Sequence, residues 1–200
     1  MSKENNIILG ILFMTLAMLC LSVNDVLVKG LSSAYPIWEV IFFRALSGFL
    51  ISIVLVFFFG IQTLKTKKPI GHLIRAFSSV GCVVFYFFGL KYLMLSENVA
   101  IVHSAPIIAT LLAVPILGEK LGLHRILAIF LGFIGVLIIV KPGSDLFKVV
   151  SLFPLAAAFF MASAYLATRF LMSTESSVAI IFYYSLALMI TSLIFFQMIL

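Results

Sequence analysis

The chain has 200 residues, 64% of them hydrophobic and only 10% charged, with a mean hydropathy of +1.30. Soluble domains are roughly a quarter charged, so this composition excludes an ordinary soluble fold and indicates an all-α polytopic membrane protein. The net charge of +6 is not read as a nucleic-acid signal, because Lys65, Lys67, Lys68 and Arg75 fall together between two apolar runs, as the positive-inside rule expects of a cytoplasmic loop.

Lipid offers no partner for an unpaired backbone amide, so each crossing is expected to be a helix of about 20 apolar residues. Seven spans are predicted in chain order. The first runs from about Ile7 to Val28 and is too long for a signal-peptide core, so it reads as a retained anchor. The second runs from about Pro36 to Phe59, with Pro36 suited to a first helical turn. The third covers about His72 to Leu95, the fourth Asn98 to Leu117 and the fifth Leu123 to Val140. Pro142 and Gly143 mark a break, after which the sixth covers about Val149 to Phe170 and the seventh Ser177 to Leu200. Eight cationic residues (Lys3, Lys65, Lys67, Lys68, Arg75, Lys120, Arg125 and Arg169) fall on the amino-terminal side, against four (Lys29, Lys91, Lys141 and Lys148) on the other. That bias places the N-terminus in the cytoplasm. Cys20 and Cys82 lie inside spans without CxxC spacing, so neither a disulfide framework nor a metal site is expected, and both read as packing residues.

A shift of 140 residues aligns Phe13 with Phe153, Ala17 with Ala157, Lys29 with Arg169, Ile41 with Ile181, Phe42 with Phe182 and Leu46 with Leu186. Such apolar matches are weak alone, but five spans separate the copies, and an odd number inverts the second copy in the membrane. Residues 1–145 read as a first five-helix repeat and 146–200 as an incomplete second one of two helices. The chain therefore looks truncated, ending at Leu200 inside an apolar run.

The polar seam Asn24–Arg44 carries the most information about function. Arg44 falls inside the second span, and an arginine near a bilayer centre costs about 2.5–3.5 kcal/mol on insertion scales. It lies eight residues, about 12 Å, below Pro36, while Asp25 lies just short of the outer end of the first span. His103 sits about 8–9 Å below the start of the fourth span. Asp25, Arg44 and His103 thus share a depth. One reading makes them, with Asn24, the polar lining of a cavity; the other makes Asp25 and Lys29 an i,i+4 pair at the membrane edge and His103 a packing residue. Lys29 and Glu39 are assigned to the solvated outer rim, and Tyr86 and Tyr165 are candidates for an aromatic cavity wall, beside Tyr183 and Tyr184.

Ala105, Ala109 and Ala113 form a small-residue stripe suited to close helix packing, including pairing into a homodimer. Pro106 and Pro115 free the carbonyls of Val102 and Leu111, and so predict a bent fourth span. Gly132 and Gly135 read as packing residues of the fifth. HExxH, Gly-rich phosphate-loop and GxSxG patterns do not occur, so the chain does not read as an enzyme, and no cofactor is expected. The seventh span contains no lysine for a retinal Schiff base.

Three stretches resemble the drug/metabolite transporter superfamily, in particular its EamA-type members: the Asn24–Arg44 seam, Pro106 to Pro115-Ile-Leu-Gly118-Glu119-Lys120, and Gly132–Gly135 leading to Lys141-Pro142-Gly143. The seam is similar to that of a branch containing S-adenosylmethionine and riboflavin carriers. The resemblance implies ten helices in two inverted repeats, a central cavity, alternating access and the inner membrane of a bacterium. It also implies a small-molecule substrate and gives Glu119 a structural task at a cytoplasmic turn. The alternative is a non-transporting fragment, or a half-transporter subunit paired through helix packing.

Overall fold

Eight α-helices and two short 3-10 turns, at Ile61–Leu64 and Val149–Ser151, make up the regular structure, with no strand among the described residues. The structure is a computed structural model and describes residues 3–118, 122–140 and 149–197. The helices are α1 (Lys3–Ala34), α2 (Ile37–Phe59), α3 (Pro69–Tyr92), α4 (Leu95–Val102), α5 (Ala105–Leu117), α6 (Leu123–Val140), α7 (Leu152–Leu171) and α8 (Ser177–Gln197). Six helical segments are long and apolar enough to cross a membrane, with α4 and α5 counted as one, Leu95–Ile116. Leu123–Ile138, within the fifth predicted span, is a shorter apolar helix. The chain is a multi-pass membrane protein.

Three boundaries differ from those expected. The first helix continues past Val28 to Ala34, because Asn24, Asp25 and Lys29 make the seam polar without breaking the backbone. The third begins at Pro69, three residues before the expected His72, because a proline in the first turn needs no hydrogen bond. Arg75, grouped with the basic loop although the expected span already contained it, lies in this helix. The fourth breaks at His103–Ser104, just before Pro106 in the first turn of α5. Pro106 has no N–H to donate to the carbonyl of Val102, so the first turn of a new helix is a better place for it than a continuing one. Gly118 ends α5 in the left-handed region at φ 67°, where a side chain would be strained.

Lipid replaces water around this bundle, so its outer surface is apolar: Phe57 is 86% exposed and Phe58 77%. Inside, small residues set the spacing. Ala157, Ala158 and Ala162 of α7 are fully buried in the helix that packs most extensively on α3. A Cβ on Gly81 would come within 2.8 Å of Phe160, and one on Gly89 within 1.9 Å of Asn98 Oδ1. Across the α2–α8 contact the Ser185 hydroxyl donates to Ser52 at 2.9 Å, both residues being buried. Ile41, Ala45, Phe87, Leu90 and Leu188 form the core where α2, α3 and α8 meet, with Val28 of α1 added at its edge.

Candidate functional site

One face of α3 carries His72, Arg75, Ser79, Cys82 and Tyr86, spaced alternately by three and four residues. That spacing keeps all five on one stripe of a helix. The stripe faces α1, α2 and α8, and most of the buried polar chemistry of the chain lies along it.

The Asp25 carboxylate of α1 and the Arg44 guanidinium of α2 both lie within electrostatic reach of the Tyr86 phenol. The Arg44 guanidinium carbon stands 5.3 Å from the centre of the Phe87 ring, a cation–π arrangement. Arg75 stands 5.1 Å from the ring centre of Tyr184 on α8, and its Nη1 donates to the Ser79 hydroxyl one turn further on. Both guanidiniums lie within electrostatic reach of the Cys82 thiol and of the Tyr184 phenol. Asn98 of α4, fully buried, donates through Nδ2 to the Tyr86 carbonyl at 3.3 Å. Three polar atoms around this group are buried with no partner: Asn24 Oδ1, Asn98 Oδ1 and Arg75 Nε. Neither Arg44 nor Arg75 forms an ion pair among the described residues.

At the end of the stripe, where the α2–α3 loop meets the α7–α8 turn, most polar groups are paired, with His72 Nδ1 buried and left over. Glu175 accepts from the Lys67 backbone N–H at 3.0 Å, and its other oxygen lies 3.4 Å from His72 Nε2. Burial pushes its carboxyl up, but hydrogen bonds from Lys67, Thr66 and His72 outweigh that and hold it below its usual range. The Ser176 hydroxyl donates to the Thr63 carbonyl at 2.8 Å and Tyr183 to the Leu64 carbonyl at 2.9 Å, while the Tyr183 ring lies 4.7 Å from that of His72.

Asp25 and Arg44 thus both lie within electrostatic reach of Tyr86, whereas His103 is not with them. His103 is exposed at the α4–α5 break, and its Nδ1 bonds the carbonyl of Val99 in its own helix at 2.7 Å. Tyr165 lines a separate cavity of about 450 Å³ between α5, α6 and α7, with Arg125 and Arg169 also on its wall. The cavity shares no lining residue with the arginine group, and Pro106, Ala109, Ala113 and Ile129 make its wall largely apolar. Arg125 and Arg169 lie in the first turn of α6 and the last turn of α7, whereas Arg44 lies well inside α2, so we take the Arg44–Arg75 group as the candidate site.

Some expected roles change. Lys29 is half-buried and donates to the carbonyls of Leu90 and Leu93 at 2.5 and 2.7 Å, so it caps the end of α3 and is not explained by solvent alone. Its partner is the α3 terminus, and Asp25 lies within electrostatic reach of Tyr86. Ala105 and Ala113 are buried, and α5 packs on the chain's own α7, so the stripe is not a free face for pairing between chains. A Cβ on Gly132 would come within 2.5 Å of Ile107, a close helix approach, whereas nothing lies within 4 Å of one on Gly135. Pro115 lies inside α5. Glu119, Lys120, Lys141, Pro142, Gly143, Lys148 and Leu200 fall outside the described residues. The sequence reads Cys82 as a packing residue and gives Ser79 no role, although the three-and-four spacing from His72 to Tyr86 puts both on the stripe.

A bundle of apolar spans with ionisable side chains gathered at its centre defines the class of polytopic membrane proteins that handle polar molecules. Residues 8–141 match the EamA-like transporter family, and the chain belongs to it. It is similar to an S-adenosylmethionine uptake transporter of Rickettsia bellii (strain RML369-C), 27% identical over 185 residues that cover 92% of this chain and 64% of that protein. It is also similar to a riboflavin transporter of Vibrio cholerae, 36% identical over 131 residues, or 65% of this chain and 43% of that protein. A pseudopaline exporter of Pseudomonas aeruginosa is 29% identical over 176 residues, or 88% and 62% of the two chains. The chain thus spans somewhat less than two thirds of the length of the S-adenosylmethionine transporters it matches. No solved structure matches it.

Proposed function

We propose that the protein is, or is the larger part of, a secondary carrier for a small polar metabolite, amino-acid-like or nucleoside- and cofactor-like, of which S-adenosylmethionine is one example. The observation that carries this reading is Arg44 inside an apolar bundle, 5.3 Å from the centre of the Phe87 ring and without an ion pair among the described residues. Charge at that depth is costly unless it serves a polar ligand or pathway. The named activities of the relatives, two of uptake or transport and one of export, support a small-molecule cargo and leave its direction open.

On this reading substrate moves by alternating access, between inverted repeats at 1–145 and 146–200, with the N-terminus in the cytoplasm of a bacterial inner-membrane protein. The Glu175 junction closes the cytoplasmic end while the site is open to the other side. Transport requires no enzymatic step of this chain. Uptake of labelled S-adenosylmethionine and riboflavin into vesicles containing the full chain tests the proposal. Wild type accumulates at least one of them, and Arg44→Ala reduces that accumulation. Equal uptake by the variant would remove Arg44 from the substrate path.

A further inference from the structure

Arg75 was the residue least expected at this site, and its surroundings are specific. It sits six residues into α3, about 9 Å from Pro69, yet its guanidinium bonds Ser79 and acts on Cys82, so it points along the helix towards the bundle centre. A guanidinium offers five N–H donors. Ser79 takes a donor at Nη1, the Tyr184 ring covers one face, and the buried Nε has no partner. Arg44 has the Phe87 ring and no ion pair among the described residues. Phe87 and Tyr184, the rings beside the two guanidiniums, belong to one packed cluster of α2, α3 and α8. Neither guanidinium has an ion pair among the described residues, so this cluster holds an excess of positive charge. In a low-dielectric interior such an excess is costly unless a further anion answers it.

We propose that Arg44 and Arg75 together form a receptor for a single anionic group of the transported molecule, a carboxylate or a phosphate. This deepens the carrier reading and rests on it for the word "transported". The guanidinium forks match either anion in geometry, and the rings of Phe87 and Tyr184 hold them in place.

Binding is measured apart from transport. The purified full chain in detergent is unfolded by heat with sodium benzoate, inorganic phosphate or the neutral isostere benzamide added. At least one of the two anions raises the unfolding temperature and benzamide does not, because a ligand bound only to the folded state stabilises it. Arg44→Gln and Arg75→Gln each weaken that apparent affinity by about tenfold or more, the scale of a lost charge-assisted hydrogen bond, while Arg75→Lys keeps part of it. The variants are compared only where they give a cooperative transition without ligand, and Arg75→Lys serves if Arg75→Gln does not fold. Equal shifts with benzoate, phosphate and benzamide, no shift with any of them, or shifts unchanged in the arginine variants, overturn the receptor. Anion binding without vesicle uptake of any labelled metabolite counts against the carrier reading and leaves the receptor standing. Uptake that is indifferent to Arg75→Gln does the reverse.

Discussion

The Glu175 junction and the Arg44–Arg75 group draw on the same residue types, a carboxylate, cationic side chains, tyrosines and serines, and both lie along one stripe of α3. They differ in how completely the protein answers its own polar groups. At the junction, Glu175 meets the Lys67 N–H and His72, Tyr183 meets the Leu64 carbonyl, and Ser176 meets the Thr63 carbonyl. Midway along the bundle, Arg75 Nε, Asn24 Oδ1 and Asn98 Oδ1 are buried and unmet, and neither guanidinium has an ion pair among the described residues. Where the protein itself answers its polar groups, as at the junction with only His72 Nδ1 left over, they serve the fold and offer a ligand little. A group that is half answered is poor structure, and its persistence inside a bundle points to a ligand.

That contrast can be broken in four places. The largest effect belongs to Arg44→Ala or Arg75→Ala, each expected to lower vesicle uptake of a carried anion by about tenfold or more. Either variant should leave the unfolding temperature less affected than substitution at the junction does. A large loss of stability with normal uptake would assign the arginines to the fold. Next comes Gly89→Ala, whose new Cβ meets Asn98 Oδ1 at 1.9 Å and Pro154 Cδ at 3.3 Å. Overpacking of this kind costs about 1–3 kcal/mol, measured by denaturant or thermal unfolding in detergent. Tyr183→Phe, which removes the donor to Leu64, is expected to cost about 0.5–1.5 kcal/mol with uptake preserved. His103→Ala should be smallest, within about 0.5 kcal/mol, because the ring is exposed and bonded only to its own helix.

A pH series sharpens the same contrast. The folded pKa of Glu175 lies below its ordinary value of 4.5, so the stability it contributes is fully present above that value. It is lost as pH falls through the lowered folded value. The unfolding temperature of the wild type should therefore drop on acidification below about pH 4.5, and Glu175→Gln should show a shallower drop from a lower starting point. Parallel curves would show that another carboxylate governs acid stability.

Much of the fold was legible in the order of residues. Uninterrupted apolar runs become helices in lipid for want of any other hydrogen-bond partner, so Pro36, Pro69 and Gly118 fall where turns and ends occur. Depth counting also picked out Asp25 and Arg44, since 1.5 Å per residue converts sequence position into position along a span. The same count could not say which way a side chain turns. Equal depth put His103 beside Arg44, but rotation around the broken α4–α5 span sends it outward. Arg75 was given two places, with the loop lysines and inside a span starting at His72, and the helix from Pro69 to Tyr92 decides for the span.

Composition and apolar period by themselves determined that this chain crosses a membrane many times as helices, because burial in lipid is a property of each run taken alone. Which helices touch, and on which faces, was decided by tertiary packing. Small residues on α7 draw α3 close, the spacing from His72 to Tyr86 turns one polar stripe towards α1, α2 and α8, and Arg75 and Arg44 come within electrostatic reach of one thiol. Distances of that kind depend on how side chains from separate helices interlock, and no single stretch of sequence contains them.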